Sequence, residues 1–176
     1  MCLTSIDMFR ASNAGVVFKI DPSGHETVLY TFTGAADGGY PLAGLTRDSK
    51  GNLYGTTNGG GASNAGVVFE VDPSGHEMVL YGFTGGDDGG GPLWVTLARD
   101  AAGNLYGTTV GGGASGAGVV FKVGPTGHET VLYSFTGGTD GGNPYVGVIR
   151  DWNGNLYGTA NSGGASNAGV VFEIKP

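Results

Sequence analysis

Apolar residues in this chain fall in short runs, VVFKI, TVLYTF and NLYGTT in the first stretch, separated by clusters of Gly, Pro, Asp and Asn. The runs have strand length, several alternate apolar with polar, and none follows a 3.6-residue period, so the pattern predicts β-strands throughout. A strand is expected from Val16 to Asp21, followed by a turn at Pro22-Ser23-Gly24, where Pro presets φ and Gly accepts positive φ. The next strand runs from His25 to Phe32. The loop Thr33 to Tyr40 follows, then a strand from Leu42 to Asp48, the turn Ser49-Lys50-Gly51, a strand from Asn52 to Thr57 and a Gly-rich loop from Asn58 to Gly66.

That order then starts again. The segment beginning at Ala11 returns at Ala62, Ala114 and Ala165, a period of 51 or 52 residues, which marks a repeat architecture. Residues 11–61, 62–113 and 114–164 are full repeats, 165–176 supply a closing strand, and 1–10 form a leader outside the repeat pattern. Pro41, Pro92 and Pro144 share one column, His25, His76 and His128 another, and Tyr54, Tyr106 and Tyr157 a third. The second copy has one extra residue between Pro92 and Arg99, which predicts a β-bulge near Trp94.

The motif P-x-x-G-x-x-x-D-x-x-G-N-L-Y-G-T-T, followed by G-V-V-F-x-V-D-P-S-G-x-E-T-V-L-Y, resembles a β-propeller blade of the six-bladed NHL or gluconolactonase-like sort. More narrowly, the chain resembles the Gloeobacter/Verrucomicrobia-type tandem repeat, with GNLYGT and GVVF returning in copy after copy. The resemblance implies an all-β propeller and suggests a bacterial protein that could be secreted. In blade terms the strand after the proline is inner strand A, GNLYGTT is B, GVVF is C and HETVLY is outer strand D. Three such blades are too few to close a ring, and the expected solution is a head-to-tail homodimer forming one six-bladed ring. A threefold monomer of β-trefoil or β-prism type is the alternative.

Composition narrows the partners. Glycine makes up 38 of 176 residues without a Gly-X-Y period, so it is turn chemistry. With 39% apolar and 13% charged residues the chain is expected to fold. A formal charge of -7 opposes binding to nucleic acid, whose phosphates need a basic surface. Cys2 is the sole cysteine, so neither an internal disulfide nor a CxxC site is expected. No apolar run reaches the length of a bilayer span, and MCLTSIDMFR lacks the features of a signal peptide, so no membrane partner is expected.

In a propeller the B-to-C and D-to-A loops share one face, and that face receives Asp37, Asp87, Asp88 and Asp140 without a cationic neighbour in the repeat loops. Uncompensated carboxylates with only oxygen donors around them point to calcium, so these four are the candidate metal ligands. The competing expectation is that Asp-Gly-Gly is ordinary turn chemistry. The histidines fall at the opposite ends of the blades and are expected to be structural, as are the strand tyrosines. Each Arg-Asp pair, such as Arg99-Asp100, is expected to order its own turn. Tyr40, Trp94, Tyr145 and Asn143 lie near loop ends and could line a site for a small ester, a lactone or a glycan. Two functions follow. Resemblance to calcium lactonases implies a calcium-dependent hydrolase with Asp37, Asp88 and Asp140 as its catalytic residues; near-identical repeats suggest instead a multivalent carbohydrate or cell-surface binding module.

Overall fold

A computed structural model of the chain describes residues 13–176 together with the backbone of residues 2–5. All its regular elements are strands: β1 (Cys2–Ser5), β2 (Val16–Ile20), β3 (Glu26–Thr31), β4 (Thr46–Arg47), β5 (Leu53–Thr57), β6 (Val67–Val71), β7 (Glu77–Gly82), β8 (Ala98–Arg99), β9 (Leu105–Thr109), β10 (Val119–Val123), β11 (Glu129–Ser134), β12 (Ile149–Arg150), β13 (Leu156–Ala160) and β14 (Val170–Ile174). They form four antiparallel sheets in chain order, β1-β2-β3, β4-β5-β6-β7, β8-β9-β10-β11 and β12-β13-β14. The middle two are complete four-stranded blades. The expected strands are all present at nearly their expected limits except the inner one: of Leu42 to Asp48, only Thr46 and Arg47 enter a ladder.

Part of the expected leader joins the first sheet. Strand β1 pairs with β2 so that Ser5 faces Val16 and Cys2 faces Lys19, the register in which Thr57 faces Val67 and Tyr54 faces Glu70 one blade later. It therefore occupies the place of a GNLYGTT strand without sharing its sequence.

In the two complete blades the central strands β5, β6, β9 and β10 are buried on both faces, and the alternation of side chains divides them between two neighbours. In β6, Val67, Phe69 and Val71 point back to the first sheet and pack with Val17, Phe32 and Leu53, whereas Val68 points forward to a cluster with Phe83, Leu105 and Phe121. The next junction repeats this with Val120, Phe135, Leu156 and Phe172. At all three junctions the Phe that ends one blade's outer strand meets the central Phe of the next edge-on: Phe32 with Phe69 at 5.0 Å, Phe83 with Phe121 at 5.0 Å and Phe135 with Phe172 at 5.1 Å. Edge-to-face geometry of this kind is the favoured arrangement of two rings.

The central Phe explains the second glycine of GNLYGT. A Cβ at Gly107 would lie 2.6 Å from Cζ of Phe121, and one at Gly55 the same distance from Phe69. Only a residue without a side chain lets the ring lie flat across the neighbouring strand.

Inner segments outside the short ladders are held by hydroxyls from the preceding blade. Thr56 Oγ1 donates to the carbonyl of Val95 at 3.2 Å, and Thr108 Oγ1 to that of Val146 at 2.8 Å. The extra residue of the second copy sits here, in a turn at Leu93-Trp94 with Trp94 at φ 54°. No bulge forms at that point, because the chain is not laddered there. Register shifts occur instead in every C-to-D pairing, at Val17/Phe18, Val68/Phe69 and Val120/Phe121.

Replacing Phe83 by Ala is expected to cost about 3 to 5 kcal/mol, since the ring is 1% exposed and fills a blade junction. Met78→Ala, on the 49%-exposed rim, should stay within about 0.5 kcal/mol. Urea unfolding of both variants tests this, and equal losses would contradict the assignment of the core to the junctions.

Candidate functional site

The loops joining one blade to the next lie together at one end. Isolated bridges pair Gly39 with Gly59, Gly90 with Gly111 and Gly142 with Ser162, tying each D-to-A loop to the following B-to-C loop. The expected grouping of loops on a shared face is thus present, and the aspartates can be followed from it.

Each repeat aspartate closes its own loop. Asp37 accepts from the amide of Thr33 at 2.7 Å, its hydroxyl at 2.5 Å and the hydroxyl of Tyr30 at 3.0 Å. Asp88 accepts from the Thr84 amide at 2.8 Å, the Thr84 hydroxyl and Tyr81 at 2.8 Å. Asp140 repeats the pattern with Thr136 and Tyr133. Burial works against the charge of Asp37 and Asp88, but these donors outweigh it and hold both carboxyls below their ordinary range. Asp140, with the Thr136 hydroxyl as its main support, is lowered too. Asp87 is exposed beside Asp88. Among the described residues, no three acidic, His or Cys side chains gather as a metal would require. The aspartates expected to converge therefore lie in separate loops, Asp37 in one, Asp87 with Asp88 in the next and Asp140 in the third.

Two glutamates join them from the other end of the molecule. Glu77 opens β7 next to His76, yet its carboxyl interacts electrostatically with Tyr30 and Asp37 of the preceding blade, and Glu129 likewise with Tyr81 and Asp88. Blade twist carries the start of one outer strand over the loop that ends the previous one. Burial first, and the neighbouring aspartate second, push both glutamates up to about 7. The histidines themselves remain exposed, with their carbonyls accepting from Asp21, Asp72 and Gly124 at the C-to-D turns.

The aspartates of the Arg-Asp pairs order their own turns as expected, but Arg99 and Arg150 also reach back to the preceding blade, which the expectation missed. Asp48 accepts from the amides of Lys50 and Asn52 in its own turn and from Tyr54 OH at 3.2 Å. Its cationic partner, 3.9 Å away, is Arg99 of the next blade, whose guanidinium also lies 5.3 Å from the centre of the Tyr54 ring. Arg150 covers Tyr106 in the same way at 5.9 Å. A polar cleft of about 520 Å³ opens beside the first of these latches, lined by Asp48, Asn52, Glu70, Arg99 and Gly103.

The four residues expected to bind substrate divide into three groups. Trp94 and Tyr145 come together, with ring centres 5.9 Å apart and planes tilted by 39°. Asn143 has both ends of its amide engaged, donating to Val110 O at 3.0 Å and accepting from Ser162 Oγ at 3.0 Å, so it fastens loops. Tyr40 packs over Gly59 in another blade. Tyr40 and Trp94 are 48% and 54% exposed and hold φ of 61° and 54°. Positive φ is costly for a bulky side chain, and such strain concentrates where a site fixes the backbone. Next to Trp94 a largely apolar groove of about 600 Å³ runs past Thr96, Val146, Ile149 and Arg150.

The sequence as a whole places the chain among known repeats. A model of the Gloeobacter/Verrucomicrobia repeat matches residues 4–176. The chain belongs to that family. No curated protein matches it. Among solved structures, it is similar to the X-ray structure of a protein provisionally named a gluconolactonase, with 13% identity, a TM-score of 0.48 and coverage of 94% of this chain. The chain spans 61% of the length of that structure. In the family repeat, the turn aspartates and strand tyrosines could be found by column alone. Glu77 and Glu129 escaped notice because their partners sit one blade away.

Asp88→Asn is expected to lower stability by about 1 kcal/mol at neutral pH, through weaker hydrogen bonds to Tyr81 and Thr84. Because the folded carboxyl is lowered, its contribution is present above the ordinary aspartate range and lost as pH falls through the folded value. Thermal melts should therefore show the gap between variant and wild type closing below about pH 4. A constant gap would contradict it.

Proposed function

We propose that this chain is a carbohydrate or cell-surface binding module without catalysis, with the Trp94 and Tyr145 rings as its binding platform. The observation that carries this reading is the tilted pair at 5.9 Å, in which Trp94 is exposed on a left-handed backbone at the mouth of the groove and the half-buried Tyr145 lies beside it. Sugar rings present apolar faces edged with hydroxyls, which suits an aromatic platform beside a polar fringe. Thr96 and Arg150 supply that fringe. Tyr40 is a further exposed aromatic in a different blade, and weak contacts of this kind gain by being presented together.

Hydrolysis of a small lactone or ester is the second reading. The feature favouring it is a pair of carboxyls with opposite proton affinities, Asp37 below its usual range and Glu77 up to about 7, as acid and base roles require. A calcium ion shared by the repeat aspartates fits the residues poorly, since Asp37, Asp88 and Asp140 each accept donors inside their own loops and, among the described residues, no three acidic, His or Cys side chains gather.

Retention on a panel of immobilised glycans is expected for the wild type, with at least a tenfold loss for Trp94→Ala and a smaller loss for Tyr40→Ala. Lactone and ester turnover, measured with and without millimolar calcium, is expected to be absent. Calcium-dependent turnover with no glycan retention would overturn the binding reading and leave the hydrolase in its place.

A further inference from the structure

At two blade junctions a half-buried glutamate neighbours a half-buried aspartate. The turn before β7 meets the Leu29 carbonyl of the preceding blade at Gly75, and the turn before β11 meets that of Leu80 at Gly127, which brings Glu77 within electrostatic reach of Tyr30 and Asp37 and Glu129 within that of Tyr81 and Asp88. One carboxyl oxygen of each glutamate is shut off from solvent and has no hydrogen-bond partner among the described residues. A buried oxygen in that state is tolerable on a neutral carboxylic acid and costly on a carboxylate. The aspartates cannot relieve it by taking the proton, because Thr33 and Tyr30, or Thr84 and Tyr81, already stabilise their charged form.

We propose that Glu77 and Glu129 are proton-operated clasps between blades. Protonated, each glutamate packs against the Tyr-Asp pair of the preceding blade. On ionisation, two carboxylates face one another across the same junction and loosen it. The groups facing Glu77 are Tyr30 and Asp37 from the preceding blade and His76 from its own turn; those facing Glu129 are Tyr81 and Asp88. None facing Glu129 is cationic at neutral pH, and His76, exposed at its turn, only partly offsets the charge of Glu77. The shift of both glutamates up to about 7 accords with this geometry.

The repeat provides its own controls. Glu26 occupies the same column in the first sheet but is exposed, and the Tyr133-Asp140 pair is followed by β14 without an outer strand among the described residues. The sign follows from linkage. A carboxyl raised in the folded state contributes fully below its unfolded value, near 4.5, and loses that contribution progressively as pH rises through the folded value near 7.

Thermal melts of the full chain between about pH 5 and pH 8 test the proposal. The wild-type Tm is expected to fall by roughly 3 to 6 °C across that range, and the Glu77→Gln, Glu129→Gln double variant to lose most of the fall, while Glu26→Gln keeps it. Parallel curves for wild type and the double variant, or equal flattening by Glu26→Gln, would overturn the clasp. Should the double variant fail to fold, carboxyl carbon NMR of the wild type decides: two glutamates titrating near neutrality support the proposal, and all glutamates titrating near 4.5 refute it.

Discussion

No blade of this chain can bury its two apolar faces alone. A strand such as β10 places Val119, Phe121 and Val123 on one side and Val120 on the other, all fully buried, and only a neighbour on each side makes that possible. Everything else in the molecule serves the junction this requirement creates. The glycine at 107 exists so that Phe121 can lie across strand β9, and the threonines at 56 and 108 hold the inner segment of the following blade by its carbonyls. The arginines at 99 and 150 are latches thrown back onto the tyrosine of the preceding blade. Such an array is stabilised by nearest-neighbour interfaces more than by any single blade, as in other repeat proteins.

The junctions also decide where chemistry can reside. Residues that hold blades together are the same in every copy, so the repeated aspartates, tyrosines and arginines are occupied with each other. The proposed binding platform falls where copies differ: Trp94 is the extra residue of its repeat, and Tyr40 stands in a column that holds Gly91 and Asn143 elsewhere. Gly91 takes φ of 63° there at little cost, and Tyr40 takes almost the same angle against its steric preference.

Strands, turns and the blade order were legible in the sequence because period-two alternation and Pro-Ser-Gly or Asp-x-x-Gly turns are local signals. The inner strand was overestimated for the same reason. Leu42 to Asp48 has strand-like content, but only Thr46 and Arg47 enter a ladder, and the Thr46 hydroxyl donates to the Leu97 carbonyl of the next blade, a contact that leaves no local trace. The carboxylates were visible as a column, and their saturation by Thr33, Thr84 and Thr136 four residues upstream was visible only as turn chemistry. What could not be read was contact between blades. Arg99 with Asp48, and Glu77 with Asp37, are separated by roughly one repeat in sequence and brought together by twist that no single segment specifies.

Native-state hydrogen exchange, resolved by residue, tests most directly whether the junctions hold the fold. Amides of β6, β9 and β10, flanked by a junction on each side, should exchange only with global unfolding, and those of β14, where Val171 is 82% exposed, should open several orders of magnitude sooner. Equal protection of β14 and β10, or opening of each blade with its own unrelated free energy, would contradict the account.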